Sequence, residues 1–271
     1  MLQWPDPRMR PLLAAVVLAL GAPAAALAQA GPAAATPPPT TTFVSRSAFD
    51  VGFAHLTSDD PRFVWAARVN ADVDVVDYRR GRINFFGIYE GILGSERREL
   101  DLNHENFVVE GSGSYRIRAS ELSLVFHHVS RHLSDRDNPN VVAWNTFTVR
   151  AAHELTAGGT RFHGFLEAGR VLQHTYVDYA WTSLMQIDLE RPINAGTSFV
   201  ALGTGTLVGI DPARSTRDRQ CGARAEAGIK ISGRTGAVEF YGAYERRIDA
   251  YPLAKQRGRF FEVGFKLLGG A

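Results

Sequence analysis

Three side chains in one short stretch have the types and spacing for nucleophilic chemistry. They are His128, Ser130 and His132, inside the segment 121–135, ELSLVFHHVSRHLSD. Its first half alternates as a half-buried strand does, with Leu122, Leu124 and Phe126 on one face and Glu121, Ser123 and His127 on the other. Continuing the alternation carries the apolar row directly into His128, Ser130 and His132. A hydroxyl nucleophile and two candidate bases therefore share the face that carried Leu and Phe. That combination points to acyl transfer, in which the hydroxyl attacks, an imidazole takes its proton and a third group holds the imidazole.

The flanking segments supply candidates for the third group. Centring a hairpin on Arg118-Ala119 pairs Leu122 with Tyr115, Phe126 with Gly111, Ser130 with Phe107 and His132 with Glu105. The next hairpin is expected to bring Asn145 across from Ser130. Glu105, His128, Ser130, His132 and Asn145 thus form the expected catalytic group, with Glu105 orienting the imidazole. A slip of two residues would keep every side chain on its face. A metal is not expected, because a four-residue spacing sets His128 and His132 ~13 Å apart along a strand. No cofactor is expected either. The same polar row is also what contact with lipid headgroups alone would produce.

The elements that must position this group are short alternating segments without helical periodicity. In 62–76, Phe63, Trp65, Ala67, Val69, Ala71, Val73 and Val75 oppose Arg68, Asn70, Asp72 and Asp74. Similar alternation recurs through 83–93, 105–116, 141–155, 161–173, 181–190, 219–231, 238–248 and 259–268, with weaker signals in 43–56 and 197–209. About twelve strands result, or ten if the weak ones are dropped, each near the ~9–11 residues that cross a bilayer when tilted. Short connections (DYRRGR, IRAS, TAGGT, RPINAG, SGRT) alternate with longer, more charged ones (GSERRELDLN, LSDRDNPN, IDPARSTRD). This is the pattern of an all-β, closed antiparallel transmembrane barrel with short periplasmic turns and longer outer loops. An even strand count returns both ends to the periplasm, which favours counting 43–56 as the first strand.

The rest of the chain agrees with an envelope location. Arg8 and Arg10, an apolar run over 11–22 and small residues at 26–30 read as a secretory signal over 1–30. Residues 31–42 are a Pro/Thr/Ala linker, and the barrel is expected over 43–271. A single cysteine, Cys221, excludes an internal disulfide. Net charge is +2, with arginines interleaved among carboxylates, so no basic stripe for nucleic acid is present. Trp65, Trp144 and Trp181 are expected to anchor the membrane interfaces. Arg68, Asp72, Asp74, Glu90, Glu110, Arg116, Arg150, Glu167, Asp188, Arg224, Glu226, Glu239 and Glu245 are expected to face a wet interior.

Three motifs carry a resemblance. Asp59-Asp60-Pro61-Arg62-Phe63, Leu100-Asp101-Leu102-Asn103 and His128-Val-Ser130-Arg-His132-Leu133-Ser-Asp135 together resemble an uncharacterised family of bacterial outer-membrane barrels with A-D-P-R and H-x-S-x-H-L-x-D signatures. Ser134 and Arg136 depart from that pattern. The resemblance implies fold and location, not chemistry. The His128-x-Ser130 pair is also faintly similar to outer-membrane lipid A deacylases, which implies an outward-facing acyl-ester hydrolase site. The segment 260–268, FFEVGFKLL, resembles the last-strand signal read by the barrel-assembly machinery, although the chain ends Gly-Gly-Ala. The expected partners are therefore outer-membrane lipid and that machinery. Three functional classes stay open: a lipid-acting hydrolase, a narrow channel for small solutes lined by the mixed charges, and a purely structural barrel.

Overall fold

The computed structural model describes residues 40–133, 140–251 and 253–270. The signal segment, most of the linker and Asp135 lie outside these residues. Twelve strands follow one another: β1 (Thr42–Thr57), β2 (Trp65–Asp77), β3 (Arg82–Gly94), β4 (Asp101–Ile117), β5 (Ser120–His132), β6 (Val142–Ala157), β7 (Thr160–Thr175), β8 (Tyr179–Asn194), β9 (Thr197–Ile210), β10 (Gln220–Ser232), β11 (Gly236–Tyr251) and β12 (Gln256–Gly270). Each pairs antiparallel with its sequence neighbours, and β1 pairs with β12 to close the barrel. The count is twelve rather than ten, and the weak segment at 43–56 is the first strand.

Alternation explains the wall. Leu122, Leu124, Phe126, Phe147, Val149, Val263 and Phe265 are exposed on the outside, whereas their strand neighbours Ser123, Val125, Thr148 and Glu262 are buried. The strands have 13–17 residues, longer than a crossing needs, so they project beyond the bilayer. The turns at one end span as few as two residues. Between β6 and β7, Gly158 and Gly159 both take positive φ (56° and 76°), as a tight hairpin with primed-turn geometry requires. The connections at the other end are mostly longer and form the outer rim.

The interior charges sit where expected, and they are paired across the lumen. Arg68 reaches Glu90 at 2.9 Å and Glu262 at 2.9 and 3.0 Å. Arg247 chelates Glu90 with two 2.9 Å bonds, joining β11 to β3 across three intervening strands. Arg224 holds Glu226 at 2.6 Å and Glu262 at 2.8 Å. On the other side, Arg150 bonds Glu110 at 2.7 and 2.8 Å and Glu167 at 2.6 Å. His127 adds a 2.7 Å contact to Glu167. Buried charges persist only when so partnered.

Toward the outer rim the interior turns apolar. Leu56, Phe63, Ala66, Ile92, Ala250 and Phe260 form one cluster, and Val142, Val171, Val177, Tyr179, Val208 and Ile248 form another. Phe63, from the Asp-Pro-Arg-Phe segment, packs on Phe260 at 5.2 Å and edge-on to His104 at 5.6 Å. Arg131 of β5 donates to the Asp249 carbonyl of β11 at 2.6 Å, half the circumference away. These contacts cap the outer mouth. Trp144 belongs to this cap. It shares the inward row with Thr146 and Thr148, meets Tyr179 at 5.2 Å and lies under Arg131, so it does not anchor a membrane interface. Trp65 and Trp181 do face outward, in the rows of Val69 and Met185.

Candidate active site

The β4–β5 register is the expected one. Ser130 lies opposite Phe107, and His132 lies opposite Glu105. The β5–β6 register differs by two residues: Asn145 pairs with His128, and Ala143 lies across from Ser130. The faces are unchanged, so His128, Ser130 and Asn145 all point outward, in the row of Leu124 and Phe126. The shift creates a contact. His128 Nδ1 lies 2.7 Å from Asn145 Oδ1, and Asn145 Nδ2 donates to Gln173 Oε1 of β7 at 3.1 Å. With its carboxamide oriented by Gln173, Asn145 accepts from His128 Nδ1–H. In a neutral imidazole so held, the proton sits on Nδ1 and Nε2 carries the lone pair that a general base uses. Ser130 is two residues further on the same face, ~7 Å along the strand, and is 9% exposed between its neighbours.

Glu105 does not join this pair. Its register partner is His132, while His128 lies opposite Val109, four residues further along β4. Glu105 instead accepts from Tyr89 at 2.9 Å, and His132 packs edge-on against Phe107 at 5.5 Å. The five expected residues thus divide into two sets: His128, Ser130 and Asn145 in one, Glu105 and His132 in the other. Only the first has an imidazole held by a side chain that frees its distal nitrogen.

Two features of the site were not anticipated. Gln173 is one. It is outward because the β6–β7 pairing shifts between Asn145 and Thr146. The other is an apolar trough on the outer wall, one row below His128. It is a shallow, open groove of about 530 Å³ among Val75, Ile83, Phe85, Leu124, Phe126 and Phe147, floored by Gly111 and Gly113. A Cβ built on either glycine would meet nothing within 4 Å. The signal in the sequence was the Gly-Ser-Gly alternation on an otherwise apolar outward row.

His128 lies eight residues from the start of β5, so it stands ~20 Å above the inner rim for a strand rising ~3.3 Å per residue at a ~40° tilt. Ser130 is at ~25 Å by the same measure, the full height of a typical apolar band. The pair therefore lies in the upper half of the wall, toward the end that carries the longer connections.

No protein-family model matches the chain, and no curated protein sequence matches it. Solved structures do. An outer membrane channel from Pseudomonas putida F1 superposes with a TM-score of 0.56 at 11% identity, covering 85% of this chain and 97% of that one. Outer membrane phospholipase A from Escherichia coli superposes at 0.51 with 8% identity, covering 84% and 97%. At such identities the likeness carries the fold alone. Together with the closed twelve-strand wall, it defines a bacterial outer-membrane β-barrel in contact with membrane lipid.

Proposed function

We propose that this barrel is an acyl-ester hydrolase of outer-leaflet lipid, with Ser130 as nucleophile, His128 as general base and Asn145 as the group that orients it. The carrying observation is the 2.7 Å His128 Nδ1–Asn145 Oδ1 contact on the lipid-facing wall, beside a serine on the same row. A lipid arriving sideways presents its ester carbonyl to Ser130 Oγ. His128 Nε2 takes the hydroxyl proton and returns it to the departing alkoxide. An acyl-enzyme remains, which water opens by the same relay. An amide can replace the carboxylate in such a relay, because holding the tautomer is the main task. The trough below His128 seats the acyl chain. The Escherichia coli neighbour is a phospholipase, so a barrel of this fold can act on such a substrate, which adds support but no residue roles.

The test is hydrolysis of lipid in proteoliposomes, followed by mass spectrometry of both lipid A and phospholipid species. Ser130→Ala and His128→Ala abolish product formation, and Asn145→Ala lowers it about tenfold or more. A product distribution unchanged by Ser130→Ala overturns the reading.

A second reading, a narrow channel, has two observations behind it. One is that the Pseudomonas neighbour is itself an outer membrane channel. The other is a cavity of about 560 Å³ near the short-turn end, lined by Arg161, Lys230, Lys266, Glu190, Glu226 and Glu239 among others. The crossed ion pairs and the apolar cap above it count against a continuous path. Delivery of the chain by a secretory signal over 1–30, through a linker over 31–42, and insertion by the barrel-assembly machinery through β12 belong to the same proposal.

A further inference from the structure

The β11–β12 hairpin carries a second feature on the outer wall, far from His128. Its outward rows pair Val238 with Leu267, Phe240 with Phe265, Gly242 with Val263 and Tyr244 with Phe261. The Tyr244 and Phe261 rings touch at 5.0 Å between centroids. The next outward row is Arg246 paired directly with Arg259. An apolar ladder thus ends on two guanidiniums held side by side, with Cβ atoms ~5 Å apart. Arg259 is exposed and Arg246 half-buried. Among the described residues, neither forms an ion pair, although their inward neighbours Glu245 and Arg247 bond each other at 2.8 Å.

Like charges directly opposite in a ladder destabilise it. The arginines that cross the lumen are matched to carboxylates, whereas this outward row sets two cations side by side, an arrangement that an anion would complete. Its level says which anion. Arg246 is ten residues from the start of β11, ~25 Å above the inner rim at the usual rise and tilt. That is the top of a typical apolar band, the level also reached by Ser130, just above an aromatic row and where lipid headgroups begin. Two adjacent guanidiniums there match phosphate oxygens, which they bind through forked N–H donors.

We propose that Arg246 and Arg259 form a binding site for the phosphorylated headgroup of an outer-leaflet glycolipid, with its acyl chains lying along the Tyr244–Phe261 and Phe240–Phe265 rows. The site is independent of the hydrolase reading. It is formed by strands on the other side of the wall and needs neither His128 nor Ser130.

Native mass spectrometry of the purified full-length barrel tests it, using bis-phosphorylated lipid A and its dephosphorylated form as probes. A Ser130→Ala background keeps either probe from being consumed. The barrel retains the phosphorylated probe preferentially, and Arg246→Gln/Arg259→Gln weakens retention about tenfold, the loss expected when charge-assisted bonds to phosphate go. Arg246→Lys/Arg259→Lys recovers part of it. Arg170→Gln, which removes an outward arginine opposite Phe147 that has no cationic partner in its row, leaves it unchanged. Equal retention of the two probes by the Ser130→Ala barrel overturns the proposal, and that comparison needs no folded arginine variant. Retention unaffected by the double glutamine variant overturns it as well.

Discussion

In the proposed relay Asn145 selects which nitrogen of His128 is free, and a single substitution can test that role. Asn145→Asp places a carboxylate where the amide oxygen sits, 2.7 Å from Nδ1. A carboxylate accepts from Nδ1–H as the amide oxygen does, so ester hydrolysis persists in Asn145→Asp, whereas Asn145→Leu, which cannot accept, falls as far as Asn145→Ala. Glu105→Gln is the complementary case. Glu105 faces Tyr89 and lies four residues away from the position opposite His128. The variant keeps wild-type turnover, and a large loss would restore Glu105 to the relay. At Gly111 the wall offers a different handle. Because a Cβ there meets nothing, Gly111→Leu fills the trough without straining the barrel. Turnover of long-chain substrates falls, and short-chain esters are cleaved as before.

The outer cap is the element whose stability should depend on acid. In the β1–β2 connection, the Arg62 guanidinium hydrogen-bonds Asp60 and holds its carboxyl below the usual range. Between β7 and β8, burial pushes the Asp178 carboxyl up, but Ser215, Lys255 and Arg217 outweigh it, and the net direction is again downward. Carboxyls depressed in the folded state contribute stability that is fully present above their unfolded pKa, about 3.9, and is lost as pH falls through the folded value. Loop proteolysis should therefore be slow at neutral pH and accelerate only below about pH 4. Phe63→Ala, which empties a core position 3% exposed, costs the cap about 3–5 kcal/mol and accelerates that cleavage at neutral pH. These elements also mark what the sequence made legible. The β4–β5 register followed from a two-residue turn and a clean alternation, and it was correct to the residue. The β5–β6 register was not legible, because the nine-residue connection 133–141 is too long for its turn residues, Asp137-Asn138-Pro139-Asn140, to fix a pairing. Trp144 was misplaced for a related reason. Its row parity placed it inside, beside Thr146, but aromatic residues in barrels suggest interfaces. The inward face turns apolar near the rim, and a rule of polar interiors does not foresee that change.

Across the whole molecule, the crossed ion pairs make a conductance prediction. Wild-type protein in planar bilayers should lack steady open currents. Arg247→Ala removes both bonds to Glu90 and leaves a buried carboxylate with Arg68 and Asn106 as its remaining partners. With one of its two arginines gone the carboxylate is only partly compensated, so the variant unfolds at lower temperature and conducts more. Large stable currents in the wild type would instead favour the channel reading. The alternation of strands, the strand count and the inward charges were all readable from the chain, because a wall between lipid and water imposes a period of two on every crossing.

The position of the His128–Asn145 pair on the outside of that wall has a kinetic consequence. Whatever Ser130 meets, it meets by lateral diffusion in a two-dimensional sheet. Turnover would follow the mole fraction of substrate in the leaflet and not its amount per volume. Diluting the membrane with inert lipid should slow the reaction, whereas diluting the suspension with buffer should not.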